Sequence, residues 1–285
     1  MSSVFDQVSQ APPAVIYDLG SNNGDDIPYY LLKADKVVAV EANPALARHL
    51  RTRFEAEIAD GRVAVENCAL TVDPAISRVP FFIHRSNDLL SQLPRPRPEE
   101  LAQFEELSLP SLTLQRLLER HGPPHYVKID LEGYDKVILR NLFENGCFPP
   151  YVSAEAHTID TFCILAALGG YDAFKVVLGH SVPEHYPAHT IRTPDGFRSY
   201  EFTVHTSGPF GNDIPGPWMS APVFMRFLAI LGTGWIDIHA SRVDGPQLTH
   251  ARKVTEIASN LLMLGGMHLG SKKVIGWSRR LWGVR

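Results

Sequence analysis

Between Tyr17 and Asp26 the chain reads YDLGSNNGDD. An apolar run, Ala14–Leu19, carries an acid near its end, turns on Gly20 and enters a helical stretch just past Gly24. Glycine at both turns permits positive φ and close approach of the backbone to a ligand. About twenty residues beyond Asp18, at the end of the next apolar run, stands Glu41. An acid at that position accepts hydrogen bonds from the vicinal hydroxyls of a ribose. Pyrophosphate cofactors need G-x-G-x-x-G and a helix N-terminus free of negative charge. Here the glycines are spaced G-x-x-x-G, and Asp25 and Asp26 open the helix. Two carboxylates there repel a pyrophosphate but not a cationic sulfonium. The residues therefore suit S-adenosyl-L-methionine better than NAD. A plain strand-to-helix turn uses the same glycines, with the two acids complementing the helix dipole; Glu41 and the βαβ context favour the ligand.

Methyl transfer is an in-line displacement at carbon, so alignment supplies most of the catalysis. An alcohol acceptor must also lose a proton to a nearby base or metal. Glu155 and His157 alternate along one apolar run and so project from one face at its carboxyl end, with Asp130 and Glu132 ending the run before. That is the edge where open α/β sheets bind ligands. His157 equally suits a packing or capping role, and Glu132 a helix-entry acid. Asp237 and His239 repeat the D-x-H pattern and, with Glu155 and His157, have the chemistry of metal ligands. Ligand identity without geometry is poor evidence, so no metal is assigned. His180, His185 and His189 stand in a proline-spaced loop and read as packing or solvated residues. Phe210 and Trp218 either wall an acceptor pocket or anchor the later chain to the sheet.

The elements that must position these groups alternate in type. Strands are expected at Ala14–Leu19, Lys36–Glu41, Arg62–Asn67, Tyr126–Asp130, Tyr151–Ala156, Ala173–Leu178 and Arg198–His205. Helices intervene, among them Pro44–Ala59, one around Leu112–Arg120 capped by Ser111 or Thr113, Tyr134–Asn145 and Ile159–Leu168. Ile76–His84 reads as an extended or hairpin insertion. Strands alternating with helices imply a parallel sheet covered on both faces. The domains expected are a loose arm at 1–13, a nucleoside-binding α/β domain at 14–206, and a loop and helical extension at 207–285 packed on it.

Composition narrows the class. The chain has 285 residues, 45% of them hydrophobic and 20% charged, enough to bury a sizeable core. A net charge of −4 argues against a nucleic-acid partner. Three widely spaced cysteines, Cys68, Cys147 and Cys163, make neither a disulfide framework nor a thiolate zinc site. Neither a positively charged leader nor a membrane-length apolar run is evident, so a cytoplasmic protein with no transmembrane segment is expected. The basic end from Lys272 to Arg285, with Trp277 and Trp282, reads as a solvated terminus.

Two blocks resemble the FkbM family of S-adenosylmethionine-dependent methyltransferases. One is Tyr17–Gly24 followed by Val40-Glu41-Ala42-Asn43-Pro44; the other is Tyr126-Val127-Lys128-Ile129-Asp130-Leu131-Glu132-Gly133-Tyr134-Asp135, followed by Val137-Ile138-Leu139 and Ser153-Ala154-Glu155. Thr113-Leu114-Gln115-Arg116-Leu117 is similar to the family's T-L-D-x-L, with Gln115 in place of the acid. The resemblance implies a Rossmann-like seven-stranded α/β methyltransferase sheet, its last strand antiparallel, and methyl transfer most often to oxygen. By position, Asp18, Gly20, Ser21, Asn22, Asn23 and Gly24 would surround the methionine part of the cofactor. Glu41 would take the ribose, Ala42 and Asn43 would flank it, and Asn67, Cys68 and Ala69 would lie along the adenine. Asp130 and Glu132 would stand beside sulfonium and acceptor. The acceptor expected is a small molecule or glycan: a sugar, a glycan or a secondary metabolite. The other readings are a non-catalytic module with the same pocket and, less well supported, an NAD-dependent oxidoreductase.

Overall fold

The computed structural model describes residues 14–249. In chain order the first half comprises β1 (Val15–Leu19), α1 (Ile27–Tyr30), β2 (Lys36–Val40), α2 (Pro44–Arg53), α3 (Glu55–Ala59) and β3 (Val63–Glu66). Then come β4 (Ala69–Thr71), β5 (Arg78–His84), β6 (Phe104–Thr113), α4 (Leu114–His121), β7 (Tyr126–Ile129) and α5 (Asp135–Glu144). The remainder is β8 (Tyr151–Glu155), α6 (Asp160–Cys163), β9 (Ala173–Leu178), α7 (Val182–His185), β10 (His189–Thr193), β11 (Gly196–Tyr200), α8 (Ala221–Leu231) and β12 (Ile236–Ser241).

Seven strands form the central sheet in the order β3-β2-β1-β7-β8-β12-β9. β1, β2, β3, β7 and β8 pair in parallel, whereas β12 runs antiparallel to both β8 and β9. This is the Rossmann-like methyltransferase sheet with its antiparallel last strand. β1 is buried throughout, as a strand covered on both faces must be. One face packs Leu114, Leu117, Ile138, Leu142 and Phe224; the other packs Ile27, Tyr29, Leu50, Phe54 and Phe210. Local chemistry sets the helix starts. The Asn43 side chain accepts from Ala45 N at the head of α2, and Thr113 from Arg116 N at the head of α4.

The seventh strand is not Arg198–His205. Part of that stretch, with the residues before it, forms the β10–β11 hairpin outside the sheet, where Phe197 stays exposed, as does Val204 beyond it. The seventh strand is β12, every residue of which is buried. Its polar residues hid it: Asp237 and His239 alternate with Ile236, Ile238 and Ala240, a pattern that reads as half-solvated until neighbours on both sides cover it. Each isoleucine so buried contributes about 1.5–3 kcal/mol. The sheet thus draws a strand from the 207–285 stretch that the sequence sets apart as an extension. Ile76–His84 proves to be an insertion as expected: β5 pairs antiparallel with β6, and β4 joins the other side of β6. The 1–13 arm and the basic end with Trp277 and Trp282 lie outside the described residues. No helix among the described residues is long and apolar enough to cross a membrane.

Candidate active site

β1 and β7 lie side by side, so the turn after β1 meets the end of β7. Gly20 sits at φ +91°, and a Cβ there would fall 1.8 Å from the backbone oxygen of Asp130. Only glycine fits. Gly20 N and Ser21 N both donate to Val40 O, at 3.0 and 3.1 Å, which ties the turn to the end of β2. Asn22 then adopts φ +47°, and its N–H donates to Glu41 Oε2 at 2.8 Å. Asn43 N donates to the other oxygen at 2.7 Å. Glu41 is therefore held from both sides at the wall of a cavity that Gly20, Ala42, Cys68, Ala69 and Phe81 also line. Burial pushes its carboxyl up to about 7, against the pull of the two N–H groups.

Three residues expected around the cofactor also hold or pack the loops. Asn67 Nδ2 donates to Glu41 O and Ala42 O at 2.8 and 3.0 Å, and Asn43 caps α2. Gly24 fails to line either cavity because it packs on α2: a Cβ there would meet Leu50 at 2.5 Å and Phe54 at 2.8 Å. Ser21 and Asn23 line a second, adjoining cavity of about 400 Å³. Gly20, Asn22, Asp130 and Glu132 border both.

Lys128 is the site residue that the sequence reading passed over. Its Nζ lies 3.6 Å from Asp18, 3.6 Å from Asp26 and 3.3 Å from Asp130. Burial pulls the ammonium downward, but Asp18, Asp130 and Asp26 together hold it well above the ordinary lysine range. Burial raises Asp18 despite Lys128, and its two carboxylate oxygens accept no hydrogen bond. Burial likewise pushes Asp26 up to about 6, and it accepts from Ser207 N at 2.9 Å. The available signal was the lysine itself: in YVKI a buried cation needs partners. Asp25 points elsewhere, 2.6 Å from Arg53.

The second cavity is acidic. Asp130, Glu132 and Glu155 bring carboxylate oxygens within 4.8 Å of one another, and Asp237 stands opposite Glu155 in the β8–β12 register. Glu132 sits at φ +47° in the turn before α5. Burial, with Asp130 and Glu155 beside it, pushes its carboxyl up to about 8. Leu131 N and Gly133 N donate to the Asp135 carboxylate at 2.7 and 3.0 Å, which fixes this turn.

The residue match now decides the family. The Methyltransferase FkbM domain model matches residues 18–164, more than half of the chain. The chain belongs to the FkbM methyltransferase family. Solved structures similar to it include the FkbM methyltransferase of Methylobacillus flagellatus, with 12% identity and a TM-score of 0.39 over 60% of this chain and 42% of that one. Precorrin-6y C5,15-methyltransferase of Geobacter metallireducens matches at 12% identity and TM-score 0.34, over 80% and 79% of the two chains. The C-terminal domain of precorrin-6Y C5,15-methyltransferase from Rhodobacter capsulatus matches at 10% and 0.34, over 82% of each. The match thus spans less than half the length of the first of these chains. A search of curated protein sequences returns no match.

His157 lies where the sequence puts it, beside Glu155, but not as a free base. Its Nε2 is 3.0 Å from Glu155 Oε2 and 3.9 Å from Asp135 Oδ2. The hydrogen bond to Glu155 pushes the imidazole up to about 9, so it is a cation at neutral pH. It lines neither of the two cavities. The proposed grouping of Glu155, His157, Asp237 and His239 does not assemble either. His239 lies deeper in the sheet, opposite Ser153 and Lys175, and burial drives it down to about 3. Phe210 and Trp218 anchor the later chain: Phe210 stacks on Tyr126 at 4.0 Å, and Trp218 Nε1 donates to Asn212. His185 packs against Ser181 O.

Proposed function

We propose that this FkbM methyltransferase binds S-adenosylmethionine along the first cavity and methylates a hydroxyl of a sugar, glycan or secondary metabolite held in the second. The observation that carries the reading is the doubly held Glu41 carboxylate at the wall of a largely apolar slot. A carboxylate fixed by two N–H donors still has lone pairs for a ribose diol. Ala42, Cys68, Ala69, Leu70 and Phe81 offer an adenine ring apolar contact, and among the described residues no Lys or Arg lines that slot to take a phosphate. Gly20, with no room for a Cβ, lets a ligand approach the backbone. The residues fit the cofactor.

When bound, S-adenosylmethionine supplies an electrophilic methyl group on a cationic sulfur. Asp130 and Glu132 border both cavities and stabilise positive charge at their junction. Glu155, and Glu132 once it is ionised above about 8, face the acceptor space and receive the proton that a hydroxyl gives up. This acidic edge supports oxygen as the acceptor atom. The family resemblance supports the acceptor class.

Calorimetric titration with S-adenosylhomocysteine and, separately, NADH tests the cofactor. Binding of NADH alone overturns the reading. Transfer of labelled methyl to a panel of hydroxylated sugars and small molecules tests the reaction; cofactor binding with no transfer across the panel makes the protein a binding module. Glu41→Ala is expected to weaken S-adenosylhomocysteine binding by about 1.5–3 kcal/mol, or roughly ten- to a hundredfold, the cost of removing a charged acceptor. The pH dependence follows from the same group. Ribose hydroxyls donate to the ionised carboxylate, and burial places its protonation near 7. Affinity should hold above that pH and decline below it, and Glu41→Gln should flatten the dependence. An unchanged profile in Glu41→Gln would remove Glu41 from the ribose site.

A further inference from the structure

The carboxyl edge of the sheet concentrates more negative charge than methyl transfer requires. Asp130, Glu132 and Glu155 each offer an oxygen, all within 4.8 Å of one another. Oxygens bound to one magnesium, manganese or calcium ion lie about 3–5 Å apart, so one ion of that size can take an oxygen from each of the three. A second observation points to the same place independently. Asp237 is only 9% exposed, lines the same cavity, and its carboxylate accepts no hydrogen bond among the described residues. It also stands directly across from Glu155 on the neighbouring strand. Like charges directly opposite one another in an antiparallel pair are destabilising, and a buried carboxylate without a partner more so. The two cations at hand reach only Asp130 and Glu155 of the cluster. Lys128 sits among Asp18, Asp26 and Asp130, and His157 holds one oxygen of Glu155 from outside the cavity.

We propose that Asp130, Glu132 and Glu155 bind one hard divalent cation, of the magnesium or manganese class, at the acceptor end of the cavity, with Asp237 beside them. An all-oxygen set selects such ions over zinc or copper, which favour nitrogen and sulfur donors. The site rests on the Proposed function only for its place beside the acceptor. There the ion would hold acceptor oxygens against the carboxyl edge, favouring an acceptor with two neighbouring oxygens.

The test uses the full chain, stripped with chelator and titrated with manganese chloride by calorimetry and by electron paramagnetic resonance. The expected result is one saturable manganese site per chain and a melting temperature raised by a few degrees at saturating metal, because the ion binds only the native state. Magnesium should compete for it. Glu132→Gln and Glu155→Gln should each weaken binding by about tenfold or more, the loss expected for one charged ligand. Asp25→Asn removes a carboxylate from the same cavity but outside the cluster, and should leave manganese affinity unchanged. Absence of saturable binding up to about millimolar metal overturns the proposal, as does binding that both cluster variants retain. Saturable binding of an amino sugar with no binding of manganese also overturns it and assigns the carboxylates to an ammonium group. S-adenosylhomocysteine binding to the metal-free chain is measured in parallel, so failure of the cofactor reading is told apart from failure of the metal site.

Discussion

Lys128→Met should destabilise the protein by about 3–5 kcal/mol, measured by urea unfolding at pH 7. The lysine is buried on β7 and lies within 3.6 Å of Asp18, Asp26 and Asp130. Methionine keeps the length of the side chain but leaves Asp18 and Asp26, both buried, without their cation. Asp18 has no hydrogen bond to fall back on. The pH dependence has a definite sign. In the variant both carboxyls have folded-state values above their unfolded ones, so folding favours the protonated forms. The defect should therefore be smaller at pH 5 than at pH 8, since rising pH forces ionisation of unpaired buried acids. The double variant Asp18→Asn/Lys128→Met should recover part of the loss. If Lys128→Met unfolds at the same urea concentration as the wild type, the lysine does not balance these carboxylates.

Glu132→Gln should lower kcat by about 10²–10⁴-fold with whichever acceptor the methyl-transfer panel identifies. This carboxylate borders both cavities, so it is placed to act where methyl and acceptor meet. Glutamine preserves shape and cannot take up a proton; S-adenosylhomocysteine affinity should change by less than about tenfold, within the range of one exposed charge contact. His157→Gln is the comparison. Its imidazole is already protonated by its bond to Glu155 and lines neither cavity, so kcat should fall by less than about tenfold, by loosening Glu155. A larger loss at His157 than at Glu132 would restore the histidine as the base.

The turn and the acid expected to meet a cofactor come together because their placement is local. Asp18, Gly20 and Asn22 lie within five consecutive residues, and Glu41 follows at the end of the next strand. A parallel βαβ unit brings those two strand ends together whatever else the chain does. Asn43, Asn67 and Gly24 also hold loops or pack on α2, a role the sequence did not show. Whether an amide faces a ligand or ties two loops depends on which carbonyls stand within 3 Å of it. Residue type does not carry that information.

The acceptor half is different. The chain alone determined the α/β class, the parallel order of strand and helix, the Gly20 turn, Glu41, and the acids Asp130, Glu132 and Glu155 at the carboxyl edge. Local hydrophobic periodicity and turn chemistry suffice for these, since each involves a strand end and the loop that follows it. Tertiary structure decided that β12 inserts between β8 and β9, and so set Asp237 against Glu155 across the sheet. It also decided that His157 pairs with a carboxylate, and that one lysine neutralises three acids from separate segments. These contacts join positions that are distant in sequence, and the charge state of each group follows from burial and neighbours that only the folded chain supplies.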